Sequence, residues 1–251
     1  MFQSVIDIFP SFSRTYEGYV LSPYLDVKGL VTVGVGNLID PVSAALALPW
    51  KLPDGSRATP DVIRAQWSAL KARQDMAHHS VQVQAALTTI RLTPADVDAL
   101  VLSKLSENAD FISAHYFPAF GTYPADAQLG IMSMAWAVGA GFPLKFPHFK
   151  SAVLAGDWTT ARDECAIQDA ANPGVIPRNA ANRVCFGNAQ IVVSCGLAPD
   201  ILRWPNVAQQ DVPDWKNPTN IGTLAATALD DARIHALEVT KLEGDREMAE
   251  A

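Results

Sequence analysis

The chain has 251 residues, of which 49% are hydrophobic and 18% are charged, and its formal net charge is −7. This composition can bury a large core and is not that of a disordered protein. The negative balance disfavours a nucleic-acid or anionic-membrane surface, because both need clustered Lys and Arg. No apolar run of about 18 residues is present, so we expect no membrane-spanning helix.

The N-terminus and the cysteines bear on the compartment in which the protein folds. Residues 1–10 carry no basic segment, and Asp7 interrupts their apolar character. We therefore expect no classical secretory signal and a protein that is made in the cytoplasm. The odd number of cysteines predicts buried free thiols, although pairing of Cys185 with Cys195 stays open.

The first 40 residues change from a helical to a strand pattern. Aromatic residues at helical spacing predict two short helices, 2–9 and 12–20, separated by Pro10. Valines at every second position of residues 31–36 predict a strand with one apolar face.

The next 75 residues contain a loop and two helix starts. Prolines and glycines predict a loop over 40–60. A helix is predicted for 60–86, with Thr59 as its N-cap. The strongest helix start follows Thr93, and this long helix is expected to end near His115.

The second half of the chain is predicted to be helical. Residues 125–138 are almost wholly apolar, which indicates a helix that is buried on most sides. Further helices are predicted for 146–155, 158–170, 178–195 and 221–242.

Two acidic residues near the N-terminus have the chemistry of a glycosidase. Such enzymes use one protonated carboxyl group and one ionised carboxylate. Glu17 lies near the end of an apolar helix, where burial favours the protonated form. Asp26 lies where a strand enters a turn. By spacing alone, two ordinary surface charges remain an alternative interpretation.

The turn after Asp26 fixes which side chains share a face. Residues 27–29 suit a three-residue hairpin loop with its glycine in the left-handed conformation. In that register Asp26 opposes Leu30, and Tyr24 opposes Thr32. Asp26 and Thr32 then lie on one face, about 7–8 Å apart at Cα, while the valines take the other face. Small residues beside Thr32 are expected to leave room for a flat ligand. A two-residue loop would instead bury the carboxylate among the valines.

The same residues resemble the phage-type lysozymes of tailed bacteriophages. The family pattern is a Glu, a Tyr-x-Asp that ends nine residues later, a Gly and then Thr-x-Gly-x-Gly, and residues 17–38 keep every spacing. The resemblance implies that Glu17 donates a proton, that Asp26 orients or activates water, and that the Thr32 hydroxyl holds that water. Substrate contacts are expected from five further residues: Tyr24, Gly34, Gly36, Asn37 and Arg178. Asn37 departs from the family, in which many members have His.

The resemblance implies an α+β, mostly α-helical fold with two lobes, as in lysozymes. The N-terminal catalytic lobe, 1–92, is expected to hold a small antiparallel sheet and to carry an insertion at 41–91. A long helix leads into a helical lobe, 93–198, and the substrate is expected to lie in a cleft between the lobes. Residues 199–251 form an extension beyond the resemblance, and we expect bond cleavage not to need them.

The implied activity is hydrolysis of bacterial peptidoglycan at the β-1,4 bond between N-acetylmuramic acid and N-acetylglucosamine, with inversion. No cofactor is expected, and no His or Cys spacing predicts a metal site. Without a classical signal, the protein is expected to reach the cell wall through a secretion or phage-release system. A lytic transglycosylase and a non-catalytic module of the cell wall or phage tail are the alternatives. The sequence is equally compatible with a phage endolysin, a tail-associated lysin and a bacterial antibacterial effector.

Overall fold

The computed structural model describes residues 1–169 and 173–206. The helices there are α1 (Gln3–Glu17), α2 (Val42–Leu46), α3 (Pro60–Lys71), α4 (Val81–Ala85), α5 (Pro94–His115), α6 (Ala125–Val138), α7 (Pro147–Ala155), α8 (Trp158–Glu164) and α9 (Ile176–Ser194). The strands are β1 (Val20–Leu25), β2 (Val31–Gly34) and β3 (Asn37–Leu38). They form one antiparallel sheet in the order β1-β2-β3. The predicted α+β class is confirmed, and the helix predicted for 221–242 lies outside the described residues.

The chain divides into two compact units. The hairpin unit is Pro10–Ser106, and the helical unit is Met1–Phe9 together with the described residues between Glu107 and Asn206. The boundaries therefore fall inside α1 and α5, whereas the sequence placed a boundary between residues 92 and 93. The first turns of α5 belong to the hairpin unit because their side chains pack against it, as Val97 does beside Gly34.

The valine face of β2 forms part of the core of the hairpin unit. Val31, Val33 and Val35 are all fully buried, as the alternating pattern predicts. Burial of each such side chain is worth about 1.5–3 kcal/mol. This face therefore fixes the register of the hairpin, because a slip by one residue would expose all three valines.

Several of the predicted helix boundaries are wrong, including the end of the helix predicted for 158–170, which stops at Glu164. Pro10 lies inside α1 and does not end it. Proline removes one hydrogen bond of a helix, but Val5, Phe9 and Phe12 form one buried stripe that continues past Pro10, and this packing outweighs the local cost of about 3 kcal/mol. The helix predicted for 60–86 starts as expected, since Thr59 accepts a hydrogen bond from Val62 N. It ends at Lys71, however, and a 3₁₀ turn and α4 follow.

The helices predicted for 94–115 and 125–138 are confirmed as α5 and α6. At the start of α5, Asp96 N donates to Thr93 Oγ1 at 3.2 Å and Thr93 N donates to Asp96 Oδ2 at 2.9 Å, which is a reciprocal cap. The residues of α6 from Ala125 to Ala135 are all buried. Gly139 ends this helix with a φ of +89°.

The beginning of the predicted extension is part of the helical unit. Asp126 on α6 has no exposed surface. Its carboxylate accepts hydrogen bonds from Arg203 N at 2.7 Å, Trp204 N at 2.9 Å and Asn188 Nδ2 at 3.0 Å. Residues 203 and 204, which the sequence assigned to the extension, therefore bond the core of the helical unit through their backbone.

The cysteines do not form a disulfide. Cys165 and Cys185 are buried, as predicted, but Cys195 is exposed. Cys185 lies on α9, and Cys195 directly follows the last residue of that helix, ten positions later. Ten helical positions rise by about 15 Å, so the two cysteines cannot pair. Burial raises the pKa of Cys165 to about 12, which keeps this thiol protonated and unreactive.

None of the helices in residues 1–169 and 173–206 combines the length and the apolar character that a membrane span requires. The same residues contain no group of three or more His, Cys, Asp or Glu side chains that could hold a metal ion.

Candidate active site

Glu17 is the last residue of α1 and is half-buried. Gly18 follows with a φ of +73°, a left-handed conformation that ends helices and that glycine adopts without strain. The chain is then anchored by Tyr19, whose hydroxyl donates to Pro94 O at 3.1 Å. Arg14 lies 4.2 Å from the centroid of the Tyr19 ring and forms an ion pair with Asp98. These contacts fix the direction in which the chain leaves Glu17 for β1.

Asp26 organises the turn of the hairpin. The predicted three-residue loop and its register are confirmed: Asp26 N donates to Leu30 O at 2.9 Å, and Tyr24 pairs with Thr32. Oδ1 of Asp26 accepts hydrogen bonds from Lys28 N at 2.8 Å and Leu30 N at 2.9 Å. Oδ2 accepts none from residues 1–169 or 173–206. One carboxylate oxygen therefore shapes the turn, and the other is available to a water molecule.

Thr32 lies on the same face of the hairpin as Asp26, as the register predicts. Its side chain is 4% exposed. The hydroxyl donates its hydrogen to Leu30 O at 3.2 Å, so that only its lone pairs remain for another partner. A water molecule at this position could donate a hydrogen to Thr32 Oγ1, and Thr32 could not donate one in return.

Tyr24 connects the two carboxylates electrostatically. Burial raises the pKa of Tyr24 to about 12, and the negative charges of Glu17 and Asp26 contribute to the increase. Both carboxylates therefore act on one phenol group, which stays protonated at neutral pH.

The glycines and Asn37 form the second turn of the sheet. Gly34 and Gly36 have φ values of +67° and +82°, and Asn37 Oδ1 accepts a hydrogen bond from Val35 N at 3.3 Å. The expected space for a ligand is absent at Gly34, because a Cβ there would lie 3.0 Å from Val97 Cγ1. At Gly36, which is exposed, nothing lies within 4 Å of such an atom. Gly34 is therefore needed for close packing, and only Gly36 leaves open space.

We predict that Gly34→Ala destabilises the protein more than Gly36→Ala. Both substitutions place a side chain on a left-handed backbone, at a cost of about 1–2 kcal/mol. Only Gly34→Ala also forces a contact with Val97, and such overpacking typically costs about 1–3 kcal/mol more. The free energy of unfolding from denaturant titration measures the difference. Equal losses in the two variants would show that Val97 moves away without cost.

Arg178 lies in the helical unit and is 2% exposed. Its Nη1 donates to Ser133 O at 3.0 Å and to Ser133 Oγ at 3.3 Å. In this arrangement Arg178 joins α9 to α6 and is not a surface side chain, and its contact with substrate stays a prediction. Helical spacing in the sequence could not distinguish a buried Arg from an exposed one.

The sequence suggests no role for residues 41–91, but three of their side chains form hydrogen bonds with the backbone of residues 25–29: Lys71, Gln74 and Gln84. Gln84 is 1% exposed. No motif in the sequence marks these residues, since Lys and Gln on predicted helices are usually exposed.

A scan against protein-family models finds no match to this chain, and a search of curated proteins finds no similar sequence.

Proposed function

We propose that the protein is a peptidoglycan hydrolase, an N-acetylmuramidase that cleaves the β-1,4 bond between N-acetylmuramic acid and N-acetylglucosamine. The single observation that carries the proposal is the register of the hairpin, which places Asp26 and Thr32 on one face while the turn amides of Lys28 and Leu30 hold only Oδ1 of Asp26. A pair of carboxyl groups at one site is what glycoside hydrolysis requires. The lysozyme-like two-lobed fold and action at the bacterial cell wall are part of the same proposal.

The reaction assigns one role to each of three residues. Glu17, protonated, gives its proton to the glycosidic oxygen as the bond between that oxygen and the anomeric carbon breaks. A water molecule donates one hydrogen to Asp26 Oδ2 and the other to Thr32 Oγ1, which directs its lone pair at the anomeric carbon. The oxygen of this water forms the new bond, and its proton passes to Asp26. The products are two shorter glycan chains, one of them with a reducing muramic acid end.

Digestion of purified peptidoglycan, followed by mass spectrometry of the fragments, tests the function. Reducing muramic ends are the expected result. Anhydromuramic ends, lighter by one water, would mean that the sugar's own hydroxyl attacks, as in a lytic transglycosylase. Intact peptidoglycan would leave a non-catalytic module of the wall or of a phage tail as the better description.

We predict that hydrolysis inverts the anomeric carbon. An inverting enzyme separates its carboxyl groups by about 6.5–9.5 Å to hold a water, whereas a retaining one needs about 5–5.5 Å. Asp26 shares its face with Thr32, and a direct nucleophile would have no use for that second polar group. Proton NMR of a short wall-derived oligosaccharide, read before mutarotation, should show the α-anomer first.

A retaining lysozyme, which forms the β-anomer first, is the control for this NMR measurement. If the β-anomer also appears first with the protein described here, Asp26 bonds the sugar directly and the role given to Thr32 is wrong.

A further inference from the structure

The segment 41–91 touches the backbone of the hairpin on both sides of Asp26. It reaches β1 through α4 and the turn residues through α3 and the 3₁₀ turn that follows it. All of these contacts lie within the hairpin unit.

On the first side, Gln84 bonds both backbone groups of Leu25, the residue before Asp26. Gln84 Oε1 accepts from Leu25 N at 2.6 Å, and Gln84 Nε2 donates to Leu25 O at 3.1 Å. Strand β1 is at the edge of the sheet, and these two groups point away from β2. The buried amide of Gln84 thus takes the place of a neighbouring strand at this one residue.

On the second side, Lys71 and Gln74 hold the turn. Lys71 Nζ donates to Gly29 O at 2.7 Å and to Asp40 Oδ2 at 2.5 Å. Gln74 Nε2 donates to the same Gly29 oxygen at 3.2 Å. Asp40 Oδ2 also accepts from Val31 N at 3.3 Å, which extends the network to the first residue of β2. The hydrogen bond from Lys71 holds the pKa of Asp40 below its usual value.

The hydrogen bonds from Gln84, Lys71 and Gln74 hold the turn whose backbone amides orient the carboxylate of Asp26. Its Oδ1 is held by Lys28 N and Leu30 N, and both of these amides belong to the segment between Leu25 and Val31. A shift of this segment would therefore turn the carboxylate. In an enzyme, a displacement of a catalytic group by about 1 Å can lower the rate about 100-fold.

We propose that the segment 41–91 positions Asp26 for catalysis, with Gln84 and Lys71 as positioning residues that do not touch substrate. The inference rests on the proposed function, since it assigns these residues to the muramidase site. Lys71 and Gln74 both donate a hydrogen bond to the carbonyl oxygen of Gly29, three residues after Asp26. A positioning role explains why two side chains of the segment bind this one oxygen.

The test compares Gln84→Met with Gln66→Met in the full chain. Gln66 is a matched control in the same segment: Gln66 Oε1 accepts from Thr89 N at 2.7 Å and from Ile90 N at 3.1 Å, and Gln66 Nε2 donates to Thr89 Oγ1 at 2.8 Å. Both substitutions remove hydrogen bonds to backbone groups and should lower the melting temperature. Only Gln84→Met should lower kcat, by about 10- to 100-fold, with KM nearly unchanged, at a temperature at which both variants are folded.

Amide hydrogen exchange of Lys28 and Leu30 provides a readout that does not depend on activity. We expect exchange to be at least about tenfold faster in Gln84→Met than in the wild type, and unchanged in Gln66→Met. If Gln84→Met does not fold, Lys71→Met and its conservative counterpart Lys71→Arg replace it, and Lys71→Arg should recover most of the lost kcat.

The outcomes separate this inference from the proposed function. A wild-type protein that leaves peptidoglycan intact would overturn the muramidase assignment, whatever the exchange rates are. An active wild type, together with a Gln84→Met variant that keeps wild-type kcat, would overturn the positioning role alone. Equal losses of kcat in the Gln84 and Gln66 variants would also overturn it, because they would reflect general destabilisation.

Discussion

Glu17→Gln should abolish the hydrolysis of peptidoglycan and leave the protein folded. The amide has nearly the shape of the carboxyl group but no acidic proton, so that protonation of the leaving oxygen is lost. Such positioned acid catalysis is typically worth about 10²–10⁴ in rate. Glu17 is the last residue of α1, where the helix dipole disfavours a negative charge. We therefore expect the melting temperature of the variant to equal or exceed that of the wild type.

Glu164→Gln is the matched control for this variant. Glu164 is also the last residue of its helix, α8, and is exposed. The control should have wild-type activity and a similar change in stability. A folded Glu17→Gln variant that digests peptidoglycan at close to the wild-type rate would remove Glu17 from its assigned role.

The local hairpin could be predicted from the sequence because its determinants lie within a few residues of one another. The glycine after Lys28 fixes the loop, and the alternation at Val31, Val33 and Val35 fixes the buried face. A register that satisfies both conditions leaves Asp26 opposite Leu30, which the structure confirms. The caps of α3 and α5 were predictable for the same reason, since an N-cap and its partners are three residues apart.

Features that depend on distant residues were not predictable. Pro10 is accommodated within α1 because an apolar stripe is buried on both sides of it, and no local signal reports that burial. The contact of Gly34 with Val97 joins positions 63 residues apart in the chain. The bonds from Gln84 to Leu25 span 59 residues. Each of these features needs the tertiary structure to bring two segments together.

The burial of Arg178 could not be predicted, for a related physical reason. A charged residue at the start of a predicted helix is usually exposed. The carbonyl and hydroxyl of Ser133, 45 positions earlier, accept hydrogen bonds from its guanidinium and compensate in part for its burial. Sequence spacing does not contain this information.

Truncation of the chain after Leu197 should unfold the helical unit or strongly destabilise it, whereas truncation after Asn206 should preserve it. The shorter chain lacks Arg203 and Trp204, whose backbone N–H groups bind the buried carboxylate of Asp126. Removing the partners of a buried charge typically costs about 3–5 kcal/mol, a large fraction of the about 5–15 kcal/mol that stabilises a typical domain. Thermal and denaturant unfolding of the two truncated chains, compared with the full chain, measures the loss.

We predict that the stability lost by the chain that ends at Leu197 depends on pH, because Asp126 is the group that loses its hydrogen-bond donors. Burial raises the pKa of Asp126 above the ordinary value of 3.8, although the hydrogen bonds from Arg203, Asn188 and Trp204 lower it. The pKa of Asp126 in the folded protein is therefore higher than in the unfolded chain, where it is about 3.8. Such a group contributes its full stability below pH 3.8, and this contribution is lost as the pH rises through the pKa of the folded state. Without two of the N–H donors the pKa rises further, so the deficit of the chain that ends at Leu197 should widen from pH 4 to pH 7. A deficit that does not change with pH would show that lost packing of residues 198–206, and not the carboxylate of Asp126, accounts for the instability.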